Sequence, residues 1–462
     1  MTVASGWSKK LVANSVQNIP LTGRKLPLRD YAEVGQYPVI DQGQKFIGGY
    51  TDQENLLVQC SPPVIVFGDH TKAIKYVNIP FVAGADGIKV LKPLDFFNPR
   101  LLYYFLQAIE LPEKGYARHY QFLAKSEIPV PPLPEQERIV ARIESLFTQL
   151  DAGVAALKRL QAALKRYRAS VLKAACEGRL VPQDPSDEPA EELLKRILAE
   201  KGNKIPILYG EMPELPKGWA LITLGELSCH ITSGSRGWAK YYTEKGSLFI
   251  RVGNFNRLSK TIDLSKKIFV SPPKGPEAER TQLKINDLLI TITADVGMVG
   301  VVEEATLMDG EAYINQHVCL VRLKFPYISN FIAYTIASEI IQKQINRKQY
   351  GATKLGLNLD DIKSITLPIP PLEEQNRVVA EIERRMSVIQ KLEQAVSANL
   401  KRAARLRQAI LKRAFEGKLV EQNPQDEPTG ALLERLRSNP VKPTNPPTSN
   451  ITAKQLPLIE MD

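Results

Sequence analysis

Two long stretches of this chain place apolar residues at steps of three and four. In the first, Ile139, Ile143, Leu146, Leu150, Val154, Leu157, Leu160, Leu164, Tyr167 and Val171 follow the helical period, and in the second Val379, Ile382, Met386, Ile389, Leu392, Val396, Leu400, Ala403, Leu406 and Ile410 do the same. Each stretch predicts one unbroken helix. The first opens after Pro129-Val130-Pro131-Pro132, which interrupts regular structure, and Glu135 and Glu137 then stand where the positive end of the helix dipole favours them. Gly178 and Gly417 are the expected C-terminal caps. A helix of about 44 residues is about 65 Å long at ~1.5 Å per residue. Alone it would leave its stripe in water, so each helix is expected to cover the other. The stripes do not set whether the pair runs parallel or antiparallel, and a packed core without chemistry accounts for both.

The flanking patterns are different. Residues 1–130 read as a mixed α/β module, with short apolar runs (Pro38-Val39-Ile40, Pro63-Val64-Ile65-Val66-Phe67) between Gly- and Asp-rich turns and a helix over Arg100 to Ile109. A Pro- and Gly-rich linker occupies 201–217. Trp219 opens a second module over 218–368, with strands at Asp287–Ile292 and Val299–Val302 and a helix over Asn330 to Ile345. The tail, 439–462, lacks the apolar content to fold and is expected to be disordered.

The two helical regions, 131–200 and 369–438, are copies of one another. Pro131-Pro132-Leu133-Pro134-Glu135-Gln136-Glu137-Arg138-Ile139-Val140 returns as Pro370-Pro371-Leu372-Glu373-Glu374-Gln375-Asn376-Arg377-Val378-Val379. The match continues without a gap through Leu193-Leu194-Lys195-Arg196 and Leu432-Leu433-Glu434-Arg435, with roughly 40% of about 67 aligned positions identical. A repeat of this length implies an α+β protein with pseudo-two-fold organisation, meeting a target that also has two halves. Behind each helix an arm, Arg179 to Leu198 and Lys418 to Arg437, carries Pro-x-Asp-Glu-Pro before a second small helix. The arms suit either a docking site or an N-capped helix packing on its own fold.

Composition narrows the partner. Lys plus Arg number 61 against 50 Asp plus Glu, a net charge of +11, which attracts polyanions, nucleic acid first. No apolar run is long enough to span a bilayer and the first residues hold no signal-peptide core, so a cytoplasmic protein without membrane attachment is expected. Cys60, Cys176, Cys229 and Cys319 are scattered; Cys176 takes the repeat position of Phe415 and reads as a buried apolar residue. His70, His119, His230 and His317 have no metal spacing, so neither a metal nor a bound cofactor is expected. There is no phosphate-binding GxxxxGK[ST] loop and no Gly-x-Ser-x-Gly elbow. Asn445-Pro446-Pro447-Thr448 resembles the Asn-Pro-Pro-aromatic motif of amino-methyltransferases, but threonine cannot stack on a base. No catalytic residue is assigned, and weight moves to binding.

Both modules contain loops that mix basic residues with Gln, Asn, Tyr and Gly. From them Gln42, Gln44, Lys45, His70, Lys72, Tyr116, Arg118, His119 and Tyr120 in the first module, and Ser235, Arg236, Arg251, Asn254, Asn256, Lys348, Thr353 and Lys354 in the second, are the candidate DNA-binding residues. Arg and Lys pair with guanine in the major groove, Asn and Gln with adenine, and hydroxyls hold phosphates. Any one such loop could equally be solvated surface. The Gly-Tyr-Ala-Arg-His-Tyr (115–120) and Tyr-Gly-Ala-Thr-Lys (350–354) loops stand out, since both lie just upstream of the repeated Pro-Pro-Leu segment. Alike helices with unlike modules would suit two different half-sites, with the helix length acting as a spacing ruler.

With these residues in view, the chain resembles the specificity subunits of Type I restriction-modification systems. The resemblance rests on the repeated Pro-Pro-Leu-x-Glu-Gln-x-Arg-(Ile/Val)-Val, on (Val/Ile)-Leu-Lys-x-Ala-x-Glu-Gly-(Arg/Lys)-Leu at 171–180 and 410–419, and on Leu-Pro-x-Gly-Trp at 215–219; Ser5-Gly6-Trp7 is a shortened copy of the last. It implies two target recognition domains at opposite ends of an antiparallel coiled coil, each reading half of a bipartite site in double-stranded DNA. It further implies that the helices dock two methyltransferase subunits, for which Glu135, Gln136, Arg138, Glu374, Gln375 and Arg377 are the candidate contacts. Restriction subunits would complete the complex, with S-adenosylmethionine, ATP and Mg on the partners and no catalysis by this chain. A single-chain DNA methyltransferase and a DNA-binding structural adaptor are the alternatives.

Overall fold

A computed structural model of the protein describes residues 4–84, 87–113, 115, 117–199, 214–234, 236–257, 260–349 and 356–438. Most of the linker expected at 201–217 and all of the tail 439–462 lie outside these residues. The chain divides into two compact units, each discontinuous in sequence. One joins the described residues up to Ala156 to those from Ala398 onward; the other runs from Leu157 to Ser397. The units thus cut across the linear order of segments, and each holds one module, one end of each long helix and one arm.

In the first unit the strands are β1 (Ser8–Leu11), β2 (Val16–Ile19), β3 (Lys25–Leu26), β4 (Tyr37–Ile40), β5 (Gly49–Thr51), β6 (Val64–Gly68), β7 (Ile74–Val77), β8 (Val82–Gly84), β9 (Ile88–Pro93) and β10 (Glu127–Val130). Antiparallel β2-β9-β6-β7 forms one sheet, and β3-β8-β4-β5 another, in which β8 runs parallel to both β3 and β4. The continuous apolar run of β6 is buried along its whole length, as an interior strand covered on both faces requires. β1 pairs with β10 from Ser8↔Val130 to Leu11↔Glu127, so the module's start and end meet at the foot of the first long helix. Asn98 caps the helix Pro99–Ala108, its side chain accepting the amides of Arg100 and Leu101 at 2.9 and 3.2 Å. The expected helix shifts by one residue because Ile109 is already extended.

The second unit holds β11 (Ala220–Thr223), β12 (Ser228–Ser233), β13 (Tyr242–Thr243), β14 (Ser247–Ile250), β15 (Phe269–Val270), β16 (Leu288–Thr291), β17 (Val299–Val301), β18 (Ala312–Ile314), β19 (Val318–Leu323) and β20 (Thr366–Ile369). Here β12-β19-β16-β17 is the antiparallel sheet, β13-β15-β14-β18 the mixed one with β14 parallel to β18, and β11 pairs with β20. This is the plan of the first module, strand for strand in the antiparallel sheet, although the two sequences differ almost everywhere. The helix expected over Asn330 to Ile345 is two helices, Ser329–Ala337 and Glu339–Lys348. Between them Ser338 is extended and its hydroxyl bonds the Thr335 carbonyl at 2.6 Å, a local alternative to continuing the helix.

The long helices are Leu133–Cys176 and Leu372–Phe415, each of 44 residues. Both end as the sequence predicts. Gly178 and Gly417 have φ of 64° and 70°, and the amides of Arg179 and Lys418 reach back to the carbonyls of Ala174 and Arg413, closing Schellman motifs. Within each unit the helix ends present run antiparallel. In the first, Ile139, Ile143 and Phe147 share a core with Ile410, Leu411 and Ala414, and Arg407 pairs with Asp151 and stacks on Phe147 at 4.1 Å. In the second, Val171, Leu172 and Ala175 pack with Val378 and Ile382, and Arg168 meets Glu393 at 2.9 Å. The predicted stripes are wider than the seam: Leu160, Tyr167, Leu392 and Leu406 are 40–49% exposed. Cys176 is buried as expected, and burial pushes its thiol up to about 11.

Candidate nucleic-acid interface

In the first unit three loops converge beyond the same strand ends. The loop after β4 begins Asp41-Gln42-Gly43, with the Asp41 carboxylate accepting the Gly43 amide at 2.8 Å. The β6–β7 hairpin is tied to it twice: in the turn the Thr71 hydroxyl donates to the Gln42 carbonyl at 2.5 Å, and on β7 Lys75 Nζ lies 3.4 Å from Asp41 Oδ1. Burial holds the Lys75 ammonium below the usual lysine range, against the opposing pull of Asp41. The third, which ends at His119, is fastened to the turn by the His119 and Tyr120 amides, which donate to the Asp69 carbonyl and Oδ1 at 2.8 and 2.7 Å.

In the second unit a loop and a hairpin turn meet in the same way with other residues. The loop after β14 reaches the β16–β17 turn through Arg257, whose Nη2 donates to the Val296 carbonyl at 3.1 Å. Leu357 donates its amide to the Ile292 carbonyl at 3.0 Å, and Thr293 bridges Gly356. Both turns hold a non-glycine residue in the left-handed region, Lys72 at φ 60° and Ala294 at 71°. Such strain persists only where the surrounding structure enforces it, and it marks functional turns more often than plain ones.

The candidate residues separate on this frame. Gln44, Lys45 and Arg118 are exposed in the first unit, as are Arg236 and Asn256 in the second. Gln42, His70, Lys72, Tyr120 and Arg251 are half-buried at the loop junctions. Gln42 Oε1 has no partner among the described residues, and Gly87 (φ 80°) lies so close that an added Cβ would meet this oxygen at 2.7 Å. Lys348 turns away, donating to Ser364 Oγ at 2.9 Å. Tyr116, Ser235, Thr353 and Lys354 lie outside the described residues.

Two candidates are corrected. His119 is 1% exposed with its ring against the Asp69 carbonyl, so it orders the loop rather than meeting a ligand. Asn254 is 5% exposed; its Oδ1 accepts the Arg251 amide and its Nδ2 donates to the Asp263 carbonyl, so it shapes the loop. Arg257, which was not singled out, is an exposed cation fixed at the centre of the second unit's junction. Its three-dimensional neighbour, the β16–β17 turn, is distant in sequence and gave no signal.

The expected docking residues need a larger correction. Glu135, Gln136, Glu374 and Gln375 are at most 2% exposed. Glu135 and Glu374 accept the indole N–H of Trp7 and Trp219 at 2.8 and 3.1 Å, while Gln136 and Gln375 donate to the Pro131 and Pro370 carbonyls. Burial raises both carboxyls above the usual range, the indole bonds pulling the other way. Arg138 and Arg377 are partly exposed but pair with Asp426 and Asp187, at 2.6 and 2.5 Å, on the arm in the same unit. The repeated motif is therefore an internal clasp: it joins the start of a long helix to the opening Trp and to the arm that follows the other long helix. Among the described residues no His, Cys, Asp and Glu cluster could hold a metal ion.

The family described as Type I restriction modification DNA specificity domain matches residues 11–162 and 216–402. The chain is 26% identical over 381 residues to the Type I restriction enzyme EcoBI specificity subunit of Escherichia coli, covering 74% of this chain and 72% of that one. It is 24% identical to the EcoDI specificity subunit of the same species, over 91% of this chain and 93% of that one. A solved chain from a study of complex assembly and conformational transition in a type I R-M system superposes with a TM-score of 0.60 at 20% identity, over 90% of this chain and 100% of that one.

Proposed function

Because the chain belongs to the Type I restriction-modification DNA specificity family, we propose that each loop junction is the surface that reads one half of a bipartite DNA site. The chain is a DNA sequence-recognition subunit, and specificity subunits of Type I systems are non-catalytic. The observation that carries the reading is the shared plan of the two heads. Two modules unlike in sequence bring a loop from the mixed sheet against a hairpin turn of the antiparallel sheet, with different exposed side chains at each: Gln44 and Lys45 in one, Asn256 and Arg257 in the other. A constant frame with variable loops is what two independent readings require. The exposed cations suit phosphates and guanine edges; Gln and Asn suit adenine.

The partners follow as part of the proposal. The two long helices would carry two methyltransferase subunits on their outward apolar positions, Leu160, Tyr167, Leu392 and Leu406, rather than on the buried clasp, and their length would set the spacing between half-sites. S-adenosylmethionine, and ATP with Mg on restriction subunits, would belong to those partners in the cytoplasm. Among the described residues no helix is long and apolar enough to cross a membrane.

The test is the pattern of N6-methyladenine in the host genome with and without the gene. A bipartite motif that vanishes on deletion is the expected result. Unchanged methylation in a host that expresses the protein would overturn the reading and favour a DNA-binding adaptor.

A further inference from the structure

Among the charged residues that the repeat keeps is a pair that neither the seam nor the clasp uses. Glu144 and Glu383 occupy equivalent positions one residue after the buried Ile143 and Ile382, and both are partly exposed, where the seam alone would accept any polar residue. From Ser145 to Ala155 no residue of the first long helix matches its equivalent in the second. The two glutamates share a surrounding rather than a place in the core.

In the first unit Arg100 Nε donates to Glu144 Oε1 at 2.8 Å, and the Tyr104 hydroxyl lies 3.4 Å from the same oxygen. The Arg100 guanidinium also stacks on Tyr76, 4.4 Å from the ring centroid. Tyr76 is on β7, next to Lys75 and the turn bearing Thr71 and Lys72. In the second unit Lys260 Nζ stands 3.6 Å from Glu383 and 3.0 Å from Glu303, and 5.8 Å from the ring of Tyr334. Lys260 follows the loop that carries Asn256 and Arg257, and its carbonyl accepts the amide of Val301 on β17. Tyr104 and Tyr334 are each the sixth residue of their helices, Pro99–Ala108 and Ser329–Ala337. Burial, with the neighbouring glutamate, pushes the Tyr104 hydroxyl up to about 12 and raises Tyr334 likewise, so both remain protonated donors.

We propose that Glu144 and Glu383 are positioning residues: each is gripped by a cation of its head, Arg100 stacked on Tyr76 of β7 in one and Lys260, just past the loop bearing Arg257, in the other, and so sets the angle at which its head meets the groove. This rests on the reading of the heads given above. Each head is otherwise held by directed bonds at the first turn of its helix, Trp7 to Glu135 and Asn98 and Phe96 to Gln136 in one and Trp219 to Glu374 in the other, and by apolar packing, which is non-directional. A directed pair of charges off the core axis removes the remaining freedom to rock. Because the cations differ, arginine from a helix in one head and lysine from a loop in the other, the two heads are set independently.

The test uses the full chain with its methyltransferase partner, and scores discrimination at each half-site separately against single-base mismatches. Glu144→Gln and Glu383→Gln should each lower discrimination about two- to fivefold at one half-site only, the size of a partly exposed ion pair. The half affected must differ between the two variants, with assembly and Tm unchanged. The charge-reversed pair Arg100→Glu/Glu144→Arg should restore discrimination that either reversal alone removes. Equal weakening of both halves, or wild-type discrimination in both Gln variants, would overturn the proposal. Absence of any bipartite preference in the wild-type complex would overturn the DNA-reading assignment itself, and the positioning role with it.

Discussion

The Glu135 carboxylate lies in the first turn of a helix, 2% exposed, with one oxygen on the Trp7 indole and the other without a partner among the described residues. Burial raises its pKa in the folded state. A group raised in this way contributes stability that is fully present below its unfolded value and lost as pH rises through the folded one. Glu135→Gln keeps an acceptor for the indole and removes the ionisation, so Tm at pH 7 should hold or rise and its fall between acid and neutral pH should flatten. Glu135→Ala orphans a buried N–H and should cost about 1–3 kcal/mol in denaturant unfolding. At the reading surface, Arg118→Ala should weaken DNA binding in a gel-shift titration by about 1–3 kcal/mol if it contacts a base, with the subunit complex still formed. Loss of the complex instead would make Arg118 structural. The sequence marks Arg118 and Glu135 equally, as polar residues in motifs; only burial tells the surface residue from the clasp.

The arms are where the sequence left two readings open, a docking site or a helix packing on its own fold. Pro-x-Asp-Glu-Pro occurs in both halves, and a repeated charged segment reads naturally as a place for a partner. The structure takes the second reading: the aspartate of each arm pairs with the clasp arginine, and Thr429 at the start of the second arm's helix donates its amide to Gly6 and its hydroxyl to Val130 at 2.8 Å. Leu432 sits in the first unit's core with Trp7, Val130 and Ile139. Ending the chain after Gly417 should therefore strip hydrogen-exchange protection from β1 and β10 while β16 and β19 keep theirs. Equal loss in both units would contradict their separate cores. By contrast the long helices were legible to the residue. Periodicity, prolines before the start and glycine at the end are local signals, and no distant contact competes with them.

For the whole molecule, the repeat implies duplication of a frame rather than of a function. Exchanging residues up to 130 for the head of another family member should change one half of the methylated motif and leave the other intact, as methylation sequencing would read it. A change in both halves would contradict two independent heads. Inserting about one helical turn, roughly 5.4 Å, after Leu157 with a matching insertion in the second long helix should alter the spacer between half-sites. An unaltered spacer would remove the helices' role as a ruler.

The sequence by itself determined the two long helices, their caps, the internal repeat and the family, because each is written in residues close together or repeated in order. It did not disclose that the two α/β modules share one topology, since strand order depends on pairings between distant segments and many apolar sequences satisfy one sheet. Nor did it assign each arm and clasp to a compact unit built from both ends of the repeat. That decision belongs to the tertiary structure. Buried carboxylates and indoles must find partners where packing leaves them, and here packing joins the beginning of one long helix to the end of the other.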